Sequence, residues 1–185
     1  MVSKVKAKLV ENRIVVWDIP ASREIFKDSF YGKPLGVPKP KGADFDAPLI
    51  LDLIEGYYLA KEGRIAIYDA KTGEKAKDKE MEKKCRSEYV QFDEKYLVYR
   101  ELRRAGYIVT PGIKFGCDFA VYEHGPGIDH APYLVQVLLP DQNLTATAIV
   151  LAGRLATTVR KKFVIAVANA DAKKVDFLSF DWWRA

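Results

Sequence analysis

The stretch FDEKYLVYRELRRAGYIVTPGIKFGCDFAVY, residues 92–122, decides how this chain folds. Its first half places apolar residues at helical spacing and stops at Gly106, which predicts an amphipathic helix closed by glycine. YIVTPG, residues 107–112, predicts a short strand and turn, and FGCDFAVY, residues 115–122, a second strand. Side chains of a strand alternate faces. Phe115, Cys117, Phe119 and Val121 then share one face, and Gly116, Asp118, Ala120 and Tyr122 the other. The first set is apolar and reads as core, so Tyr122 is expected to end its strand on the less apolar face.

Further on, EHGPGID (123–129) is a glycine-rich loop and YLVQVLLP (133–140) a strand. A helix is predicted from Leu144 to about Arg160, with Asn143 as N-cap. FVIAVAN (163–169) and VDFLSFDWW (175–183) read as the last strands. Helix–strand–strand–strand–helix–strand–strand makes residues 87–185 an α+β module, a mixed β-sheet flanked by helices.

Upstream, residues 5–19 alternate and are rich in Val and Ile, which predicts a strand or hairpin turning at Glu11-Asn12. Residues 31–48, YGKPLGVPKPKGADFDAP, hold four prolines, three glycines and the lysines Lys33, Lys39 and Lys41. They predict an exposed, extended loop. LILDLIEGYYLAKEGRIAIYD, residues 49–69, reads as a helix ending near Gly63 and then a strand, with Leu49, Leu53 and Tyr57 on one stripe. KTGEKAKDKEMEKKC, residues 71–85, is charged throughout and reads as a solvated helix or linker. The boundary is expected just after it, giving a small N-terminal α/β domain at 1–86.

The chain has 185 residues, 49% of them hydrophobic, enough to bury a core. A net charge of +5 and a pI near 9.0 favour a polyanionic partner. No apolar run approaches the roughly 20 residues of a membrane span, and the charged, alternating start does not resemble a signal peptide. Cys85 and Cys117 lack metal-ligand spacing, and free thiols in a cytoplasmic protein are expected.

Chemistry is concentrated in Tyr122, His130 and Lys161, the last in TTVRKKFVIAV (157–167). RNA can be cut without a metal if a 2′-hydroxyl loses a proton, a 5′-oxygen gains one, and a cation meets the charge growing at phosphorus. A phenol, an imidazole and an ammonium suit those roles. Each has a plainer reading. Strand-ending tyrosines are commonly structural, and a helix C-terminus attracts cations through its dipole, which alone explains Arg160, Lys161 and Lys162. Of the two histidines, His130 precedes a strand that can fix its ring, whereas His124 lies in the glycine-proline loop. Arg154 lies seven residues before Lys161, about two helical turns, on one expected face.

The composite LVYRELRRAGYIVTPGIKFGCDFAVYEH…DHAPYLV…AGRLATTVRKKFVIAV closely resembles the catalytic domain of the tRNA-splicing endonucleases of archaea and eukaryotes. The resemblance covers most of residues 87–185. LDLIEGYYLAKEGRI resembles that family's N-terminal domain less specifically. The resemblance implies Tyr122 as general base, His130 as general acid and Lys161 as the stabilising cation. No metal or other cofactor is implied. The implied substrate is precursor tRNA, cut at bulge–helix–bulge motifs to leave 2′,3′-cyclic phosphate and 5′-hydroxyl ends. Arg154 fits a guanidinium that stacks on a bulged base, with Trp182 or Trp183 as a further stacking element. The loop at 31–48, with Lys33, Lys39 and Lys41, resembles an insertion in crenarchaeal catalytic subunits, implying a two-plus-two heterotetramer with a noncatalytic partner. Asp171 fits an acidic docking loop. A noncatalytic subunit of the same enzyme and an RNA-binding module without chemistry are the competing readings.

Overall fold

The computed structural model describes residues 4–38, 40, 42–128, 130–158 and 160–180. It divides into two compact units, Met1–Phe92 and Asp93–Ala185, each built on a five-stranded sheet. The fold is α+β, with helices and mixed sheets.

In the first unit, β1 (Val5–Val10) and β2 (Arg13–Val16) form the hairpin expected around Glu11-Asn12. α1 (Ile19–Ser29) follows, an element for which the sequence reading held no expectation. The Asp18 carboxylate caps it by accepting from the Ala21 N–H at 2.8 Å, and Pro20 sits in the first turn, where no N–H is needed. β3 (Lys33–Pro34), β4 (Leu49–Leu51), α2 (Leu53–Lys61) and β5 (Ile65–Asp69) complete the sheet in the order β3-β4-β2-β1-β5. β1 and β5 run parallel and the other neighbours antiparallel.

Two expectations fail here. Residues 31–48 are not simply an exposed loop. β3 pairs with β4, and Tyr31, Phe45 and Ala47 are buried. Glu55, 4% exposed, holds the segment's start by accepting from the Gly32 N–H at 3.1 Å. Nor does the helix begin at Leu49. Leu49, Ile50 and Leu51 are a strand, because both leucines are wholly buried in the sheet. Asp52 and Glu55 then form a capping box that starts α2. A Cβ on Gly56 would lie 2.2 Å from Ile14 Cδ1, so glycine lets α2 lie close on β2. The charged run becomes α3 (Asp78–Glu88), with Met81 and Cys85 buried one turn apart.

The second unit runs α4 (Phe92–Arg104), β6 (Ile108–Pro111), β7 (Phe119–Tyr122), β8 (Tyr133–Leu138), α5 (Ala146–Thr158), β9 (Lys162–Asn169) and β10 (Lys174–Phe180). The sheet order is β10-β9-β8-β7-β6, and α5 crosses between the one parallel pair, β8 and β9. On one face the ring of Tyr99 in α4 lies 6.0 Å from that of Phe119. On the other, Ala156 of α5 joins Ala120, Leu134, Phe163 and Ile165 in a buried cluster.

The strand expected at 115–122 is shorter than its sequence pattern. Residues Ile113–Phe115 form a 3₁₀ turn, Gly116 has φ 67°, and β7 begins only at Phe119. Period-two alternation therefore does not hold before Phe119. Phe115 and Cys117 pack against the same cluster as Tyr122 rather than on the opposite face. Both faces are covered, so Tyr122 stands half-buried at a core margin, not on a less apolar face. The N-cap of α5 also moves: the Thr145 hydroxyl, not Asn143, accepts from the Ala148 N–H at 3.1 Å. Among the described residues no helix is long and apolar enough to cross a membrane.

Candidate active site

Register brings the site together. Val121 pairs with Tyr133 and Tyr133 with Lys162, one row across β7, β8 and β9. Tyr122 and Lys161 stand one step beyond that row at the same end, and His130 lies three residues before β8. Neighbouring strands lie about 4.8 Å apart, so β7 and β9 are separated by roughly 10 Å.

Lys161 is held by several contacts. Its backbone N–H donates to the Ala156 carbonyl at 2.7 Å, and the Arg160 N–H donates to Thr157 at 3.0 Å. With Arg160 at φ 55° this is a Schellman cap. The Lys161 ammonium donates to the Ala131 carbonyl at 2.5 Å and lies 5.1 Å from the centre of the Phe115 ring. Ala131, adjacent to His130, is 2% exposed and belongs to the cluster against which Tyr122 and Phe115 pack. Lys161 is thereby tied to the peptide beside His130.

His130 itself is exposed, and the packing expected for its ring falls on Ala131. His124 is also exposed, in a loop that the Ile128 N–H closes onto Gly125 at 3.0 Å. The Tyr133 hydroxyl donates to Glu123 Oε1 at 3.2 Å, and that hydrogen bond, followed by burial, raises the Tyr133 pKa. Burial pushes the Cys117 thiol up to about 11 and the Cys85 thiol to about 12, leaving both protonated at neutral pH. Both cysteines are free.

The remaining expected site residues are scattered. Arg154 is exposed on α5, but the helix ends before Lys161 and the left-handed Arg160 breaks its phase. The two do not share a helical face. At 3.6 residues per turn Arg154 lies about 200° from Ala152 and Ala156, which pack toward the sheet. Lys33 is exposed on β3 in the first unit. Asp171 is exposed in the turn between β9 and β10, where the Ala172 N–H donates to the Asn169 side chain at 2.9 Å. Lys39, Lys41 and Trp182 lie outside the described residues. Among the described residues no group of three or more His, Cys, Asp or Glu side chains is gathered as a metal site.

Sequence reasoning missed Phe115, which it placed on the wrong face, and Arg160, which it treated only as a basic helix end. The signal for Arg160 lay in the helix stopping at TTVRKK with no glycine to turn it.

A family model of the tRNA intron endonuclease catalytic C-terminal domain matches residues 92–177, and one of the tRNA intron endonuclease N-terminal domain matches residues 5–81. A tRNA-splicing endonuclease of Hyperthermus butylicus is 42% identical over 178 residues, covering 96% of this chain and 98% of its own. One from Saccharolobus islandicus is 40% identical over 179 residues, and one from Sulfurisphaera tokodaii 39% over 178, with the same coverage.

Proposed function

Because this chain belongs to the tRNA intron endonuclease family, we propose that it excises introns from precursor tRNA by cutting at bulge–helix–bulge motifs. Tyr122, as phenolate, takes the proton of the 2′-hydroxyl. The freed O2′ forms a bond to phosphorus while the P–O5′ bond breaks. His130, as imidazolium, protonates the departing O5′. The products are a 2′,3′-cyclic phosphate and a 5′-hydroxyl, as a lyase makes them, and no water or metal enters the balance. Lys161 meets the negative charge that grows on the nonbridging oxygens.

The observation that carries this reading is the common end of β7, β8 and β9. Two residues of the triad stand one step past a single register row, and the Lys161 ammonium is bonded next to His130. Exposure suits His130, because a general acid must reach a bound substrate.

Arg154 supplies a stacking guanidinium for a bulged base, assisted by Trp182 and by Lys33, Lys39 and Lys41 along the RNA backbone. Two copies of this chain and two of a noncatalytic subunit form the cytoplasmic working enzyme, with Asp171 at the docking turn.

The test is single-turnover cleavage of bulge–helix–bulge RNA in EDTA, with the partner subunit present. Wild type is expected to cut, and His130→Ala to cut about 100-fold more slowly or worse while still binding RNA. Equal rates for the two proteins, or a requirement for magnesium, would overturn the assignment.

A further inference from the structure

We infer that the open pocket beside Lys161 is a second phosphodiester subsite, in which Arg160 grips a backbone phosphate adjacent to the one being cut. The inference rests on the RNA-cleavage reading above and adds a ligand-binding residue to it. The pocket encloses about 440 Å³ and is lined by Pro132, Tyr133, Thr157, Arg160, Lys161 and Lys162. Three of these six residues are cationic and none is acidic. Glu123, bonded to the Tyr133 hydroxyl, contributes one negative charge nearby, so the local balance stays positive.

Division of labour among the cations follows from their contacts. Lys161 is drawn inward to the Ala131 carbonyl and the Phe115 ring. Arg160 is exposed at the pocket wall. A guanidinium offers a planar fork of donors that matches two phosphate oxygens at once. The volume leaves room for a phosphodiester and part of its ribose, and Thr157 and Tyr133 supply polar and aromatic walls.

The backbone at Arg160 supplies a test rather than a proof, since Phe30 closes α1 in the same left-handed region, at φ 53°. Arg160 has φ 55°, the left-handed region in which a residue with a Cβ is strained and glycine is not. The same chain closes α4 with the same pattern of two hydrogen bonds but uses Gly106, at φ 90°. Attraction of cations to a helix C-terminus does not require the left-handed position itself to be cationic, since Lys161 and Lys162 follow at once.

Arg160→Gly supplies at α5 what the chain already uses at α4, so the two explanations predict opposite results. Three quantities are measured on the assembled enzyme with bulge–helix–bulge RNA: the melting temperature, KM and kcat, and the dependence of RNA affinity on salt. Under the inference, the glycine variant melts no lower than wild type. Its KM rises about tenfold, as for loss of a charged hydrogen bond, and kcat falls less than about threefold. The slope of log affinity against log salt becomes shallower by about one. Arg160→Lys is expected to keep the slope and recover part of KM, because it retains charge without the fork. Unchanged KM and slope in Arg160→Gly overturn the inference, as does a lowered melting temperature with intact binding. A wild-type enzyme that binds but does not cut this RNA, with affinity and slope still lost in Arg160→Gly, would sink the cleavage reading and leave the subsite standing.

Discussion

The ends of α4 and α5 are built alike but stand in different surroundings. At α4 the Gly106 N–H donates to Arg103 and the Tyr107 N–H to Leu102, both at 3.1 Å. At α5 the Arg160 and Lys161 N–H groups make the equivalent bonds to Thr157 and Ala156, at 3.0 and 2.7 Å. Both ends carry basic residues. Arg103 turns inward: it is 7% exposed, donates to the Tyr99 hydroxyl and the Val109 carbonyl at 2.9 Å each, and lies over the Tyr99 ring. It joins α4 to the start of β6. At α5 the basic residues line a pocket at the open end of the sheet. The same local device, a helix end that gathers cations, is tied into the fold at one place and lines an open pocket at the other. Only the tertiary surroundings tell them apart.

The largest expected effect is at the α5 end. Lys161→Ala should slow single-turnover cleavage by 100-fold or more, the range for removing one preorganised donor from a transition state. Its melting temperature should fall only slightly, because the ammonium, which donates to a carbonyl and lies over a ring, belongs to a side chain that is only half-buried. The comparison breaks if Lys161→Ala unfolds the protein, for that end would then be structural too. Arg103→Ala should do the reverse. It leaves the Val109 carbonyl and the Tyr99 hydroxyl without their partner in a buried place, a loss of about 2–3 kcal/mol. Denaturant titration reads that loss, and the cleavage rate per folded molecule should match wild type. A selective fall in rate with stability intact would assign Arg103 to the site as well.

The sequence carried the α4–β6–β7 succession because three local signals agree there: helical spacing, Gly106 and the PG turn. It carried the family through the composite motif, which the two family models match. What it could not carry depends on tertiary contacts. LIL at 49–51 looks helical in company with Leu53 and Tyr57, yet pairing with β2 makes it a strand. Phe115 looked like one face of a strand, but the 3₁₀ turn swings it beneath Lys161. Arg154 and Lys161 share a face only if the helix continues, and Arg160 ends it. Asn143 and Thr145 are both good caps, and which one is used depends on where the chain turns onto the sheet. The row Val121–Tyr133–Lys162 is a matter of register between distant segments, which no local pattern encodes.

The smallest effect tests the glycine itself. Gly106 sits at φ 90°, and a Cβ added there would meet nothing within 4 Å. Gly106→Ala therefore introduces no clash and leaves both capping hydrogen bonds possible. Its cost is the left-handed backbone alone, about 1 kcal/mol. For a chain of this size that is a drop of roughly 2–4 °C in melting temperature, with cleavage per folded molecule unchanged. Arg160→Gly removes the same conformational cost at the matching position of α5 and should shift stability the other way. If alanine at position 106 is tolerated without loss, the left-handed position carries no measurable strain in this chain. The presence of arginine at 160 would then need no functional explanation. A drop at 106 together with weaker RNA binding on loss of Arg160 would mean that α5 holds an arginine where α4 holds glycine because the side chain is needed at the site.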